Sequence, residues 1–484
     1  MGIVLPRLLN YLLLTPFYTR VFPQEQYGIV TELYAYVVFL LVILTYGMET
    51  GFFRFASSKK DPSTIYSSVL VSVLATSTVF VVLVLAFIGP ISRSLQYEAF
   101  PQYIRWLSLI VAIDAFTAIP FARIRLNNKP GKYAAIRIAE VLVNIGLNWF
   151  FLFYCKRHVN DSTWISTIYN EQIGVGYVFI SNLAASVMKA VLLLPEALQA
   201  LKGRFNWEVL KKVLKYSYPL LIAGLAGAVN EALDRVLLKH LIDPAQHPMA
   251  QLGVYGANIK IAVLMTLYVQ MFRYAAEPFF FSKSEETGAK KLYSDVLIFF
   301  LLPGLMIFMM VTVYIDYFKL FIGPDFREGV YIVPIVLLAN LMMGILFNLS
   351  VWYKLTDRTM VGARLVLIGA ALTVLINVVF VPRYGYVASA WGHLVCYTVM
   401  VIVSYVWSLK HYRIPYRLGR IGLYISLALA VYGVDRWLTA TGIQIINIIK
   451  PLLIIGALAI FAAGEWKTFT GYRTVKDHVP DESQ

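Results

Sequence analysis

The stretch TIYSSVLVSVLATSTVFVVLVLAFIG, residues 64–89, contains no Asp, Glu, Lys or Arg. It exceeds the roughly 20 apolar residues that carry a helix across about 30 Å of hydrocarbon. Similar stretches recur along the chain without the period-2 alternation of a barrel, and an open sheet would leave backbone groups unsatisfied in lipid. The pattern predicts an all-α polytopic membrane protein of about fourteen transmembrane helices, near residues 3–21, 28–52, 64–89, 101–122, 133–155, 174–196, 214–238, 253–275, 292–315, 329–353, 361–381, 385–409, 418–438 and 443–464.

The composition agrees with a membrane protein and gives no sign of an enzyme. Of the 484 residues, 59% are hydrophobic and 14% are charged, with a mean hydropathy of +0.69, whereas soluble domains are roughly 45–50% apolar. Cys155 and Cys396 are too few for a disulfide framework or a cysteine metal site. Phosphate-binding loops, paired His/Cys ligands and nucleophile elbows are not found in the sequence. We therefore expect no catalytic residue, no metal site and no cofactor.

The net charge of +15 is distributed unevenly over the loops between the predicted helices. Lys and Arg concentrate in alternate loops, which predicts that those loops face the cytoplasm. With an even number of spans, both termini are then expected to be cytoplasmic. The charge is thus explained by topology and by contact with anionic membrane lipids, and no nucleic-acid partner is expected. The intervening, outer loops hold few basic residues, among them Arg93, Lys156 and Lys239.

The two halves of the chain resemble each other weakly, at a distance of about 225 residues. Tyr27-Gly28-Ile29-Val30 parallels Leu252-Gly253-Val254-Tyr255, and each precedes a predicted span that ends in a Glu followed by aromatic residues. A repeat of six helices keeps its orientation, so the halves are expected to be related by an axis along the membrane normal. The predicted domains are an N-lobe at 1–200, a C-lobe at 201–412, and two further helices with a cytoplasmic tail at 413–484.

Ionisable residues within the predicted spans are costly in the bilayer and normally face protein or a water-filled cavity. Three have simple explanations: Arg137 and Glu140, three residues apart, neutralise each other, and Lys189 snorkels to the cytoplasm. The repeat pairs helices one and two with seven and eight, at the lobe interface. The cations expected to converge there on a cytoplasm-facing cavity, and to bind an anionic substrate such as a diphosphate, are Arg7, Arg54, Lys260 and Arg273.

Two stretches resemble a known transporter family. The first is RLLNYLL at 7–13 with YTRVF at 18–22, and the second is YPL at 218–220 with Asp234-Arg235 and GVY at 253–255. They are similar to the polysaccharide-exporter branch, including O-antigen-type flippases, of the multidrug/oligosaccharidyl-lipid/polysaccharide (MOP) flippase superfamily. The resemblance extends over nearly the whole chain. It implies two six-helix bundles that form a V, alternating access, and an undecaprenyl-diphosphate-linked oligosaccharide as the substrate.

The resemblance also gives roles to particular positions. Arg7 matches a first-helix arginine that meets the diphosphate in the related peptidoglycan-precursor flippases. Those relatives carry another arginine about six residues on, where this chain has Leu12 and Leu13. This difference favours the polysaccharide branch.

An ion-coupling site is implied in the same way. Asp234 and Asn377 match part of the sodium site of those relatives, but Val381 stands where a further acid would lie. Glu231 is the nearby substitute that we consider, and the coupling ion is left open between Na⁺ and H⁺. The alternative role for Asp234 and Asn377 is a hydrogen-bonded pair that holds two helices together.

Three other functions compete with the leading hypothesis. A flippase for the lipid precursor of peptidoglycan is the runner-up, and a cation-coupled drug exporter of the same superfamily should have an acidic cavity. A membrane-embedded glycosyltransferase or polymerase would need a large outer loop or an acidic catalytic motif, and the longest predicted outer loop, at 156–173, has neither.

Overall fold

The computed structural model describes residues 4–57, 62–161, 163–441 and 446–476, and the regular structure in these residues is helical throughout. The chain forms two compact units. Unit 1 contains the chain up to Lys260 together with Ile322–Arg327 and Ala370–Ser389. Unit 2 contains Ile261–Phe321, Glu328–Gly369 and the chain from Ala390 onward.

Unit 1 is built on thirteen helices. In chain order they are α1 (Val4–Val21), α2 (Gln24–Thr45), α3 (Met48–Ala56), α4 (Pro62–Ala86), α5 (Ile88–Ser94), α6 (Pro101–Leu126), α7 (Pro130–Trp149), α8 (Lys156–His158), α9 (Thr163–Ile168), α10 (Gly176–Leu192), α11 (Leu194–Leu198), α12 (Trp207–Leu241) and α13 (Pro248–Ile261). A π-helical segment, Phe150–Cys155, joins α7 to α8, and short 3₁₀ turns lie at Glu171–Ile173, Gln199–Lys202 and Pro244–Gln246. Its core lies where α6 packs against α4 and α10, and where α12 packs along α2.

Unit 2 continues the chain with α14 (Val263–Ser282), α15 (Ala289–Val313), α16 (Ile315–Phe318), α17 (Val333–Leu349), α18 (Val351–Leu355), α19 (Thr359–Tyr384), α20 (Tyr386–His411), α21 (Leu418–Ala440) and α22 (Ile446–Lys476). Parts of α19 and α20 belong to unit 1. The 3₁₀ segment Pro324–Ile332 is divided, with the residues up to Arg327 in unit 1 and those from Glu328 in unit 2. The centre of unit 2 is α15, which packs against α14, α17, α21 and α22.

Within the described residues, nine helical stretches are long and apolar enough to cross a membrane: Gln24–Ala56, Pro62–Ala86, Pro101–Leu126, Pro130–His158, Ala289–Val313, Pro324–Leu355, Met360–Tyr384, Tyr386–His411 and Leu418–Ala440. The bent helix pairs Thr163–Ile173 with Gly176–Leu192, and Pro248–Ile261 with Val263–Ser282, raise the number to eleven if each is one span. The predicted all-α, polytopic class is confirmed. The predicted spans near 3–21, 214–238 and 443–464 fall on α1, α12 and α22, and residues 3 and 443–445 lie outside the described part. The count of fourteen remains a prediction.

Local chemistry explains where helices begin and break. Proline occupies an early position of α6 and α7, where its missing N–H leaves no hydrogen bond unmade. The side chain of Asn206 caps α12 by accepting hydrogen bonds from the backbone N–H groups of Glu208 and Val209. The predicted single span 28–52 is broken, because Tyr46 and Gly47 adopt left-handed conformations with φ of 32° and 72°. The chain therefore forms α2 and α3 in place of one continuous helix.

The two C-terminal helices are tied to α15 by ion pairs. Arg417, just before α21, bonds to Asp295 of α15 over 2.5 Å and to Glu465 of α22 over 3.2 Å. Farther along, Lys450 of α22 lies 3.6 Å from Asp435 of α21 and donates a hydrogen bond to the carbonyl of Val313. The predicted division at residues 200 and 412 follows the sequence repeat, whereas units 1 and 2 follow packing, and the repeat-based boundaries remain a prediction.

Candidate substrate and ion sites

The first predicted cation, Arg7, lies in the second turn of α1, and its side chain is outside the described part of the structure. Leu12 and Leu13, farther along this helix, are both exposed. The helix thus presents apolar side chains at these two positions.

Arg54 lies in the last turn of α3 and contacts α12. Its guanidinium carbon is 4.5 Å from the centre of the Tyr216 ring, a cation–π contact between α3 and α12. The side chain is exposed. Arg54 is therefore both attached to α12 and accessible at the surface of unit 1.

Lys260 lies in the last turn of α13, inside a candidate span, and its side chain is exposed. Its ammonium is within electrostatic range of Arg235 and Glu231 on α12. A cation near a helix C-terminus is favoured by the helix dipole. The cluster of Lys260, Arg235 and Glu231 contains two cations and one carboxylate, so it keeps a net positive charge.

Arg273 belongs to unit 2, where it lies on α14. Its Nε is 3.8 Å from the Glu277 carboxylate one turn later, and its guanidinium stacks over the Phe347 ring of α17 at 4.8 Å. The same carboxylate receives a hydrogen bond of 2.6 Å from Lys354 of α18. These groups line a cleft with an empty volume of about 400 Å³, including its open mouth.

The structure thus places Arg54 and Lys260 in unit 1 and Arg273 in unit 2, each with identified neighbours. The convergence of these residues and Arg7 on one cavity remains a prediction.

The predicted ion-coupling residues lie in a buried polar cluster of unit 1. Asp234 of α12 is fully buried and accepts a hydrogen bond of 2.5 Å from the Tyr255 hydroxyl of α13. Asn377 of α19 is also fully buried, and its Oδ1 accepts a hydrogen bond of 2.7 Å from Ser389 of α20. Its Nδ2 donates to the carbonyl of Thr373.

Two further contacts link Asp234 and Asn377 through their neighbours. The Thr373 hydroxyl donates a hydrogen bond of 3.4 Å to Asn230, one turn before Asp234 on α12. On the other side, the Tyr255 ring lies 6.3 Å from the ring of Tyr386, which precedes Ser389 on α20. Four helices therefore surround this cluster.

Glu231 is placed differently from Asp234, although only three residues separate them. Its side chain is exposed and faces the Lys260 region, whereas Asp234 is buried. Val381, at the position of the missing acid, is fully buried. The described contact of Glu231 is thus an electrostatic one, with the Lys260 ammonium.

The buried ion pair between Glu32 of α2 and Lys239 of α12 was not predicted from the sequence. Glu32 is fully buried and accepts hydrogen bonds from Lys239 of α12, over 3.1 Å, and from Tyr97. Lys239, assigned to an outer loop by the sequence, is buried and also donates to the carbonyl of Leu95. Burial and the adjacent Glu32 carboxylate raise the pKa of Tyr97 well above its ordinary value, so its hydroxyl remains a donor. The only signal in the sequence was one Glu within an apolar stretch.

The prediction that Lys189 snorkels to the cytoplasm is wrong. Its side chain is 1% exposed and its ammonium lies 2.6 Å from both Asp114 of α6 and Glu140 of α7. Glu140 is also paired with Arg137 at 3.0 Å, as expected. The carboxylates of Asp114 and Glu140, on two other helices, neutralise the Lys189 ammonium inside unit 1. The side chain therefore does not extend to water.

Comparison with known proteins adds a family and a fold. A family model described as polysaccharide biosynthesis protein matches residues 1–284. No curated protein is significantly similar to the chain in sequence.

Solved structures of the MOP superfamily share the fold. Lipid II flippase MurJ in an inward closed conformation is 15% identical, with a TM-score of 0.72 over 97% of this chain and 98% of that one. A multidrug resistance MATE family transporter of the MOP superfamily, in an inward-facing conformation, is 14% identical, with a TM-score of 0.61 over 85% of this chain and 94% of that one. A MOP superfamily transporter from Pyrococcus furiosus is 14% identical, with a TM-score of 0.52 over 84% of this chain and 91% of that one. At these identities the likeness concerns the fold alone.

Proposed function

Because this chain belongs to the polysaccharide biosynthesis protein family, a transporter family of the MOP superfamily and not an enzyme family, we propose that it moves an undecaprenyl-diphosphate-linked oligosaccharide from the cytoplasmic to the outer leaflet. The substrate would serve cell-surface polysaccharide synthesis. Transport would proceed by alternating access in a bacterial cytoplasmic membrane, with fourteen spans and both termini in the cytoplasm.

The observation that carries the proposal is the position of Lys260, an exposed residue in a candidate span. A lysine at the bilayer centre costs at least ~2.5 kcal/mol unless it faces protein or a water-filled cavity. Glu231 offsets only one of the two cations Lys260 and Arg235. The remaining positive charge suits a diphosphate, to which Lys offers a point charge and Arg a bidentate hydrogen-bonding fork.

Other cations provide further points along a path for the diphosphate. Arg54 is exposed at the end of α3, and Arg273 lies at the mouth of a cleft in unit 2. Both lie near the ends of predicted spans, 28–52 and 253–275, that the charge distribution assigns to the cytoplasm. We propose that they meet the headgroup first, and that Arg7 and Lys260 bind it deeper in the membrane.

Ion coupling is proposed at Asp234 and Asn377. Their burial and their polar neighbours would suit a Na⁺ ligand set or a carboxyl that takes up H⁺. Glu231 is a weaker candidate for this site because its side chain is exposed and interacts electrostatically with Lys260.

The two rival transport functions have specific features against them. A peptidoglycan-precursor flippase is disfavoured by exposed Leu12 and Leu13 in the first helix. A drug exporter should bind cations with an acidic cavity, whereas the cluster around Lys260 has a net positive charge.

The direct test is transport in proteoliposomes. Purified protein would be reconstituted with undecaprenyl-diphosphate-linked oligosaccharide extracted from the host, and capture by a membrane-impermeant lectin would report the oligosaccharide that reaches the outside. We expect capture to exceed that in protein-free vesicles. A parallel assay with the lipid precursor of peptidoglycan serves as the control. Transport of that precursor alone would show that the peptidoglycan precursor, and not the proposed oligosaccharide lipid, is the substrate. Transport of neither lipid would refute the proposed function.

A further inference from the structure

The cleft in unit 2 has walls that combine aromatic rings with a few polar groups. It is formed by α14, α17 and α18, and its empty volume of about 400 Å³ includes the open mouth. The aromatic side chains that line it are Phe272, Phe280, Phe281 and Phe347. Phenylalanine side chains supply large apolar surfaces to the lining of the cleft.

A buried acceptor lies in this cleft without a donor. Asn348 of α17 is 4% exposed and lines the cleft. Its Nδ2 donates a hydrogen bond of 3.0 Å to the carbonyl of Gly344. Its Oδ1 has no hydrogen-bond partner among the residues that the structure describes. Buried polar atoms are almost always hydrogen-bonded, so this oxygen calls for a donor from a water or a ligand.

The mouth of the cleft carries charges of both signs. Lys354 and Arg273 hold the Glu277 carboxylate between them, and all three side chains are 31–48% exposed. The carboxylate can accept hydrogen bonds from hydroxyl groups, and the two cations can donate to hydroxyl or phosphate oxygens. A ligand with hydroxyls and an adjoining anionic group would satisfy this mouth without leaving a charge unpaired.

We propose that this cleft is a sugar subsite, which binds one ring of the lipid-linked substrate against its phenylalanine faces. A hydroxyl of that ring donates a hydrogen bond to Asn348 Oδ1, and the Glu277 carboxylate at the mouth accepts hydrogen bonds from further hydroxyls. The inference rests on the proposed function, since Arg273 at the mouth is one of the residues assigned to the diphosphate. An acyl or prenyl chain fits the cleft less well, because it has no donor for Asn348 and no group for Glu277.

Binding to the full-length protein in lipid nanodiscs tests the subsite separately from transport. The two probes are undecaprenyl diphosphate and the same lipid carrying the host oligosaccharide. We expect wild-type protein to bind the glycosylated lipid more tightly. Asn348→Leu should weaken binding of that probe alone by roughly 2- to 13-fold, the effect of one neutral hydrogen bond. Asn340→Leu, the matched control on α17, should leave both affinities unchanged; Asn340 does not line the cleft.

Phe281→Ala keeps the test decisive if Asn348→Leu does not fold. Phe281 is 47% exposed, so its truncation leaves no closed cavity, and it should also reduce the advantage of the glycosylated lipid. The sugar subsite is refuted if either folded variant keeps the wild-type ratio of the two affinities, or weakens both probes equally. If wild-type protein binds neither probe, the proposed function fails, and the subsite fails with it.

Discussion

Gly28 of α2 and Gly253 of α13 pack with their backbones in direct contact. A Cβ added to Gly253 would lie 3.1 Å from the backbone nitrogen of Gly28 and 2.0 Å from the carbonyl oxygen of Gln24. A Cβ on Gly28 would lie 2.1 Å from the carbonyl oxygen of Met249. These glycines are the counterparts that align in the internal repeat. The two repeat-related helices therefore cross at a point where only hydrogen fits.

We predict that Gly253→Ala lowers the thermal unfolding temperature of the purified protein. The added carbon meets rigid backbone rather than a mobile side chain, and overpacking of this kind costs about 1–3 kcal/mol. Gly227→Ala on α12 is the control, because nothing lies within 4 Å of its added Cβ and alanine favours a helix by up to about 1 kcal/mol. Equal unfolding temperatures for the two variants would contradict the close crossing.

A second prediction concerns the buried pair of Glu32 and Lys239. Glu32→Gln should destabilise the protein by about 3–5 kcal/mol, because it leaves the Lys239 ammonium buried without its counter-charge. The double variant with Lys239→Met should recover much of the loss. Thermal unfolding measures both effects.

The matched control for this pair is Glu208→Gln, which breaks the pair of Glu208 and Lys211 on the same helix α12. Those side chains are 72% and 53% exposed, and exposed pairs contribute about 0–1 kcal/mol. If Glu208→Gln is as harmful as Glu32→Gln, burial is not the cause.

Much of the fold was predictable because a membrane helix is specified by composition over a length of chain. Blocks such as 64–89 and 292–315 coincide closely with α4 and α15. The break at Gly47 was not predictable, since apolar residues continue on both sides and hydropathy does not report backbone conformation. The break at Ala262, between α13 and α14, was not predicted for the same reason.

The partners of buried charges were harder to predict, because they lie far apart in sequence. Lys189 looks like a snorkelling residue on its own helix, and only the packing of α6 and α7 brings Asp114 and Glu140 to it. Glu32 and Lys239 are separated by 207 residues. By contrast, the resemblance to the flippase family drew attention to Asp234 and Asn377, which are both buried, although their coupling role remains a prediction.

The predicted topology can be tested by cysteine labelling in a background with Cys155→Ala and Cys396→Ala, which removes two buried thiols. An impermeant maleimide added to intact cells should label Asp161→Cys and Gln246→Cys, on predicted outer loops. It should label Lys129→Cys and Lys212→Cys only after the cells are opened. All four positions are exposed on the surface of the protein. Labelling of Lys212→Cys in intact cells would contradict the predicted orientation.

A coupling role for Asp234 predicts that Asp234→Asn alters the dependence of transport on Na⁺ or pH. The amide oxygen still accepts the hydrogen bond from Tyr255, so the helix contact is retained while the charge is lost. Tyr255→Phe is the complementary variant, which removes the hydrogen bond and keeps the carboxylate. Unchanged Na⁺ and pH profiles in Asp234→Asn, with a lower unfolding temperature in Tyr255→Phe, would assign the pair a structural role alone.

The last prediction concerns the charge on Lys260, on which the anionic nature of the substrate depends. If its ammonium contacts the diphosphate, Lys260→Met should lower transport by roughly 10- to 150-fold at unchanged protein level, since a charge-assisted contact contributes about 1.5–3 kcal/mol. Lys260→Arg keeps the charge and should retain most activity. Glu231→Gln removes the carboxylate near Lys260 and should not reduce binding of undecaprenyl diphosphate, because it makes the cluster more positive. Full transport by Lys260→Met would show that the lysine serves packing or topology, and the diphosphate site would then have to lie at other cations.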